Sequence, residues 1–354
     1  VKIRVSHLAL ALAAALVATA IDAREPVFET VAPGVTAVLQ PEGFEVDDAN
    51  ALVIATSRGV VVVDAPADRE IVEKTLEKIA AQSEHPVRYV VNTHWHTDHT
   101  QSNHLYRARF GEAMTIVGHK SLTHDVPERA SAMIHEERER LIEIVPKAEA
   151  QLAKGLSLGG EELDEAGRAR QRAAIDEART KADAYTDLVI LAPDLTYEKE
   201  MTLHLGGTEI RLLHFGAHTE GDTVVYLPQH KVLATGDLLD IMPFAGHGFP
   251  SQWVETLEAI EDLDFDTIVP GHGPVYRGKA QLLMLRDYFQ TIVDGVEAAV
   301  AAAKSVDETV EAIDLSHFRK ALAGDDAKLQ RNFDHFAPEA VRRAYALATD
   351  APSK

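Results

Sequence analysis

The chain has 354 residues, 46% of them apolar, with 35 basic and 56 acidic side chains and no cysteine. That length and composition specify a packed core, in one large domain or two smaller ones, and exclude a disordered chain. The formal net charge of −21 repels phosphate backbones and argues against nucleic acid as a partner, while the missing cysteine excludes disulfides and thiolate metal ligands.

The chain opens Val1-Lys2-Ile3-Arg4, continues with an apolar run from Leu8 to Ala18, and then offers small residues at Ala18-Thr19-Ala20 and Ile21-Asp22-Ala23. A basic start, a short apolar centre and a small-residue exit predict a secretory signal peptide over residues 1–23, cleaved after Ala20 or Ala23. A periplasmic or secreted protein is therefore expected. The apolar run is shorter than the roughly 20 residues a spanning helix needs, so no stable membrane span is expected after processing.

Runs rich in β-branched and apolar residues predict strands over 35–39, 51–56 and 59–63, the last ending at Asp64. Ile71, Val72, Leu76 and Ile79 fall near helical spacing and predict an amphipathic helix over 68–81. Strands follow over 87–91 and 114–117, with a helix between them that ends near Phe110. Residues 128–187, rich in Glu, Arg and Ala, break this pattern. Leu141, Ile144, Ala148, Leu152 and Leu156 predict one helix, kinked at Pro146 unless that residue lies near its start. Gly159-Gly160 separates it from a second helix reaching Tyr185. This helical insertion is expected to lie over or beside the site as a lid, or to serve as a hairpin or dimer contact. Strands resume over 199–205, 208–215, 223–227 and 231–234. A helix over 252–262, a strand over 267–269 and a helical stretch over 279–348 complete the pattern, with Phe318, Phe333, Phe336 and Tyr345 read as packing residues.

The strand over 87–91 runs into His94-Trp95-His96-Thr97-Asp98-His99, four metal-ligand side chains within six residues. In an extended segment His94 and His96 point the same way and can share one metal, while Asp98 and His99, past a bend, can face a second. Without a metal, clustered imidazoles repel when charged and each needs a hydrogen-bond partner when buried neutral. Three more candidates follow strand-like runs: His218 in Phe215-Gly216-Ala217-His218-Thr219-Glu220-Gly221-Asp222, Asp237 after Gly236, and His272 in Gly271-His272-Gly273. Loops after strands at one edge of a sheet are where α/β folds commonly build sites.

In this order, the H-x-H-x-D-H run, the His-Thr-x-Gly-Asp, the Gly-Asp and the Gly-His-Gly resemble the metallo-β-lactamase superfamily, over roughly residues 27–276. The resemblance implies an α/β fold, an αββα sandwich with a helical insertion over about 128–187 and a helical C-terminal tail. The catalytic domain would span 24–290 and the C-terminal extension 291–354. Carried over, the family pattern puts His94, His96 and His218 on a first metal, Asp98, His99 and His272 on a second, and Asp237 between them. Two zinc ions suit these ligands, with iron or manganese as open alternatives. A diiron redox group of this superfamily carries Glu where this chain has His96, which favours hydrolysis here. Asp64, Thr219 and Asp222 are expected to brace ligands by hydrogen bonds. Trp95, His119 and His247 are expected to contact substrate.

The expected chemistry is attack on a carbonyl by hydroxide, formed because zinc lowers the pKa of its water towards about 7. Asp98 would hold that nucleophile and accept its proton. The reading is an exported hydrolase of a small molecule, a β-lactam or a lactone or ester. The joint presence of His99 and Asp237 resembles the glyoxalase II and lactonase-like branches more than the β-lactamases, so a thioesterase of glyoxalase II type is an alternative. A non-catalytic metal-binding protein is the alternative of another class. The sequence leaves the oligomeric state open.

Overall fold

The computed structural model describes residues 25–350, so the expected signal peptide lies outside the described residues. Two sheets carry the fold. The first orders its strands as they occur: Val27–Ala32 (β1), Val35–Leu39 (β2), Ala51–Thr56 (β3), Gly59–Val63 (β4), Val87–Val91 (β5), Thr115–His119 (β6) and Leu195–Tyr197 (β7). β1 to β4 are antiparallel neighbours, and β4 to β7 are parallel ones. The second sheet holds Glu200–Leu205 (β8), Thr208–Phe215 (β9), Asp222–Leu227 (β10), Val232–Ala234 (β11), Thr267–Val269 (β12) and Tyr276–Arg277 (β13), in the order β13-β12-β11-β10-β9-β8. Only β11 and β12 pair in parallel there.

Side-chain alternation assigns each strand residue to one of two cores. Between the sheets, Ala37, Leu52, Ile54, Val61 and Val63 meet Ile210, Leu212, Val225 and Val232. On the outer face of the first sheet, Val53, Val60, Val62, Val90 and Ile116 pack under Arg69–Gln82 (α1) through Ile71, Val72 and Ile79; after the single turn Thr97–Thr100 (α2), Asn103–Phe110 (α3) joins the same core through Tyr106. Both faces are covered, which is why β4 reads Gly-Val-Val-Val-Val rather than alternating with polar residues. α1 starts where Asp68 accepts a hydrogen bond from Glu70 N, an ordinary N-cap. A single turn at Leu122–Asp125 (α4) follows β6.

Residues 128–189 form a compact unit of their own. It holds the helices Ser131–Leu152 (α5) and Glu165–Ala184 (α6), which share a small core of Val145, Ala148 and Ile175. Gln171 is buried and donates to Ala148 O and Leu156 O, tying the connecting loop to both helices. α5 runs on through Pro146, which lies well inside it rather than near its start. Proline costs that helix one backbone hydrogen bond.

The outer face of the second sheet is covered by Pro250–Glu261 (α7), Ala280–Ala301 (α8), Val306–Ala312 (α9), Ser316–Ala323 (α10) and Ala327–Asp350 (α11). Leu213, Val224, Leu233 and Ile268 pack there against Trp253, Leu257, Leu285 and Phe289. Phe318 and Phe333 are buried in the same core, with Phe336 and Tyr345 at its margin, as expected of packing residues. The architecture is thus the expected two-sheet α/β sandwich with helices outside. Three strands were not expected, β1, β7 and β13, and each lies at the edge of a sheet.

Ile116, fully buried at the centre of β6, tests the outer core of the first sheet. Ile116→Ala should lower the unfolding free energy by about 2–5 kcal/mol, read from urea unfolding curves. A loss below about 1 kcal/mol would show that this core is not close-packed.

Candidate metal centre

The loops that carry the candidate ligands follow the carboxyl ends of β5, β9, β11 and β12. Their side chains form two adjoining groups, His94, His96, His218 and Asp237, and Asp98, His99 and His272, with one nitrogen or oxygen from each member lying within 4.8 Å of the others in its group. The first three imidazoles are mutually edge-on, with ring centroids 4.6–4.7 Å apart. Asp237 reaches both groups with different oxygens. Oδ2 lies 3.3 Å from His218 Nε2 and 3.6 Å from His94 Nε2, and Oδ1 lies 3.0 Å from His99 Nε2 and 3.7 Å from His272 Nε2. Asp98 Oδ2 is 3.1 Å from His272 Nε2, and the Asp98 side chain, 27% exposed, is the most open member of the set.

Each imidazole thus turns one nitrogen inward, and for four of the five a fixed group meets the outward one. His94 Nδ1 lies 3.1 Å from Thr93 Oγ1, and His218 Nδ1 lies 2.9 Å from Phe244 O. His99 Nδ1 lies 2.8 Å from Asp64 Oδ2, and His96 Nε2 lies 2.9 Å from His247 Nδ1. Outward partners of this kind fix tautomer and ring plane. The inward atoms fare differently. His94 Nε2, His99 Nε2 and Asp237 Oδ1 are buried and lack any hydrogen-bond partner, the 3.0 Å approach of the last two being poorly aligned. Buried polar atoms are rarely left so, and three of them converging among nitrogen and oxygen donors fit bound metal.

Local sequence explains the arrangement. Asp64 sits in the left-handed region at φ 63°, a conformation that aspartate tolerates better than most residues. There its carboxylate accepts from Thr93 N, Thr93 Oγ1 and His99 Nδ1, so one side chain anchors both ends of the ligand run. Asp222 accepts from Ala217 N, His218 N, Thr219 N and Thr219 Oγ1, which shapes the turn bearing His218. Gly271 cannot carry a side chain, because a Cβ there would lie 2.1 Å from Asp237 Oδ1. Asn50 clamps the same turn by donating to Pro270 O and Gly273 O.

Electrostatics divide the two groups. Burial first, then the neighbouring imidazoles, push His94 and His96 well below the usual histidine value and keep them neutral. Burial also opposes charge on His99 and His272, but Asp237 and its fellow carboxylates outweigh it. They hold His99 well above its ordinary value and raise His272 to about 10. Burial would raise Asp98 and Asp237 too, yet the imidazoles prevail and keep both well below the usual carboxylate range.

The expected bracing residues, Asp64, Thr219 and Asp222, make the contacts just described. The three expected substrate contacts fare otherwise. Trp95 is 1% exposed and packs edge-on against His96 at 4.4 Å, so it backs the ligand rather than lining an opening. His119 is buried and stacks on His214 at 3.9 Å, with Nδ1 near Ser121 Oγ and Nε2 near Glu198 O. Neither ring nitrogen is turned to a ligand. His247 bonds to His96. Sequence reasoning passed over Asp240, which accepts from His272 N and lies close enough to Asp237 and His272 to join their group. Burial and Asp237 raise its pKa well above the ordinary value. Asp48 was also missed. It accepts from Ala49, Ala67 and Asp68 N, and burial followed by the nearby Asp98 raises it to about 7. Neither carries a spacing signal, since both act on backbone amides brought near by the fold.

The metallo-beta-lactamase superfamily profile matches residues 45–272, so the chain belongs to that superfamily. It is 23% identical over 278 residues to a linear primary-alkylsulfatase of Pseudomonas sp. (strain ATCC 19151), covering 74% of this chain and 49% of that protein. Among solved structures it resembles the stereoselective inverting sec-alkylsulfatase Pisa1 from Pseudomonas sp. at a TM-score of 0.61 and 17% identity, over 92% of this chain and 51% of the other. A metallo-beta-lactamase from Pontibacter korlensis aligns at a TM-score of 0.48 and 18% identity, over 75% of this chain and 99% of the other. The chain spans about half the length of the alkylsulfatases it matches.

Asp64→Ala would strip a buried carboxylate from Thr93 and His99 and leave a strained backbone position. It should cost about 3–5 kcal/mol of unfolding free energy in metal-stripped protein. A loss under about 1 kcal/mol in urea unfolding would show that Asp64 does not anchor the ligand run.

Proposed function

We propose that the chain is a hydrolase using two divalent metals, with a sulfate monoester of an alkyl alcohol as its first candidate substrate. The observation that carries the hydrolase reading is the convergence of His94 Nε2, His99 Nε2 and Asp237 Oδ1, buried and unbonded, within a seven-residue donor set. Zinc suits five imidazoles and two carboxylates without thiolates. His94, His96 and His218 would hold one ion, Asp98, His99 and His272 the other, and Asp237 both. The metal pair supplies Lewis acidity and a nucleophile at neutral pH. Asp98, the most open member, would orient water there and take its proton. His94, His96, His99 and His218 hold position, each fixed by its outward partner.

Two considerations favour the sulfate ester. The curated relative and the solved alkylsulfatase are matched over most of this chain, in the latter case over 92% of it, which includes most of the C-terminal helices. Two divalent ions would also more than offset the charges of their ligands Asp98 and Asp237, which suits an anionic substrate. The reaction is balanced by water alone: the ester and water give the alcohol and hydrogen sulfate. β-Lactams, lactones and glutathione thioesters are the competing carbonyl substrates. Export rests on the basic and apolar run of residues 1–23 alone, and mass spectrometry of the mature N-terminus tests it.

The zinc-loaded chain and a chelator-treated control should be assayed on octyl sulfate, a chromogenic cephalosporin, a lactone and a thioester. Chelator-sensitive release of sulfate, with Asp98→Asn slower by about 10²–10⁴-fold, is the expected result. Turnover confined to a carbonyl substrate would overturn the sulfate reading, and no turnover despite bound metal would overturn the hydrolase reading.

Metal uptake should also release protons. His99 and His272 carry theirs at neutral pH, and an ion must displace them. Apparent zinc affinity should therefore rise as the pH rises above neutrality, because fewer protons then have to be displaced from His99 and His272. Calorimetric titration at pH 7 in two buffers of different ionisation heat would measure this, and identical heats would refute it.

A further inference from the structure

We propose that His247 is a positioning residue of the metal centre, which accepts the Nε2 proton of His96 and so keeps His96 Nδ1 bare towards the first metal. The inference rests on the metal-centre reading above. A neutral imidazole carries one proton, and the partner of one nitrogen decides which form the ring takes. His96 Nδ1 faces inward, 3.0 Å from His218 Nε2, while its Nε2 faces outward, 2.9 Å from His247 Nδ1. Ligation through Nδ1 requires the proton on Nε2, and that proton needs an acceptor. His247 Nδ1 is that acceptor, with the proton of its own ring on Nε2.

The geometry sets His247 apart from the other outward partners. Thr93 Oγ1, Phe244 O and the Asp64 carboxylate all accept through oxygen. Only His96 depends on a second imidazole, which accepts in one of its two neutral forms. The surroundings hold that ring in place. Phe244 meets it edge-on at 5.5 Å, and Trp95 lies 5.2 Å away. The following residue is pinned, because Gly248 O accepts from Arg343 Nε at 2.8 Å and Gly248 N donates to Ala245 O. Phe249 N in turn donates to Ala217 O, beside His218. The loop is therefore fixed from both the ligand side and α11.

The test is metal binding by the full chain, read by zinc competition with a chromophoric chelator and by the absorption spectrum of the cobalt-substituted protein. The parent should bind two ions. His247→Ala and His247→Phe should each weaken one site by about 10–100-fold and change one cobalt signature, leaving the other site at parental affinity. His247→Phe keeps a ring without an acceptor, so it decides the matter if His247→Ala does not fold. His247→Gln, whose amide oxygen can accept, should restore most of the affinity. Parental affinities in His247→Phe would overturn the inference, as would His247→Gln being as weak as His247→Phe. A raised KM with unchanged metal affinity would make His247 a substrate contact and overturn it too. A parent that binds two ions upholds the metal-centre reading whatever the variants do, whereas a parent that binds none ends both.

Discussion

Five imidazoles and two carboxylates are crowded together on loops that follow strands of both sheets, and that crowding is the constraint to which the neighbouring structure answers. Imidazoles within about 5 Å of one another cannot all be charged in a buried place, and carboxylates there cannot be left unopposed. The fold meets this by giving the two groups different balances. In the first, burial and neighbouring imidazoles drive His94 and His96 neutral, while in the second the carboxylates outweigh burial and hold His99 and His272 charged. Asp237, between them, touches both through separate oxygens. Gly271 exists as glycine because that carboxylate leaves no room for a side chain.

Rigidity follows from how the outward atoms are bonded. The Asp64 carboxylate joins the end of β4 to Thr93 and His99, so parallel neighbours are locked at the edge where their loops must stay in register. Asn50 does the same between the start of β3 and the turn bearing His272, a connection across more than two hundred residues of chain. Donors placed by such contacts need little rearrangement to take a ligand, which is the usual meaning of a preorganised site.

Much of this was legible in the sequence, for identifiable reasons. The buried strands are covered on both faces, so they read as unbroken β-branched runs, and His94 and His96 declare themselves by a two-residue spacing after one of them. The missed strands β1, β7 and β13 are all sheet edges, with one neighbour each and, for β7 and β13, only three and two residues. Their pairing is imposed by that neighbour rather than by local preference. The burial of Trp95 and His119 was not legible because burial is a property of the assembled layers. Nothing in a single segment shows that Trp95 lies beneath His96 or that a second histidine, His214, stacks on His119 from another strand. Asp48 and Asp240 act on backbone amides that only the tertiary fold brings close, so no spacing could announce them.

The clamp from α11 has a consequence for how the molecule opens. Arg343 holds Gly248 O, and Phe336 meets Phe244 edge-on at 5.2 Å, so one helix secures the loop on which His247 rides. Protection against exchange with solvent is shared by segments that must separate together. The amides of the 244–249 loop and those on the facing turns of α11 would therefore open together, and loosening of α11 would reach the donor set through His247 and His96 before any strand of either sheet came apart.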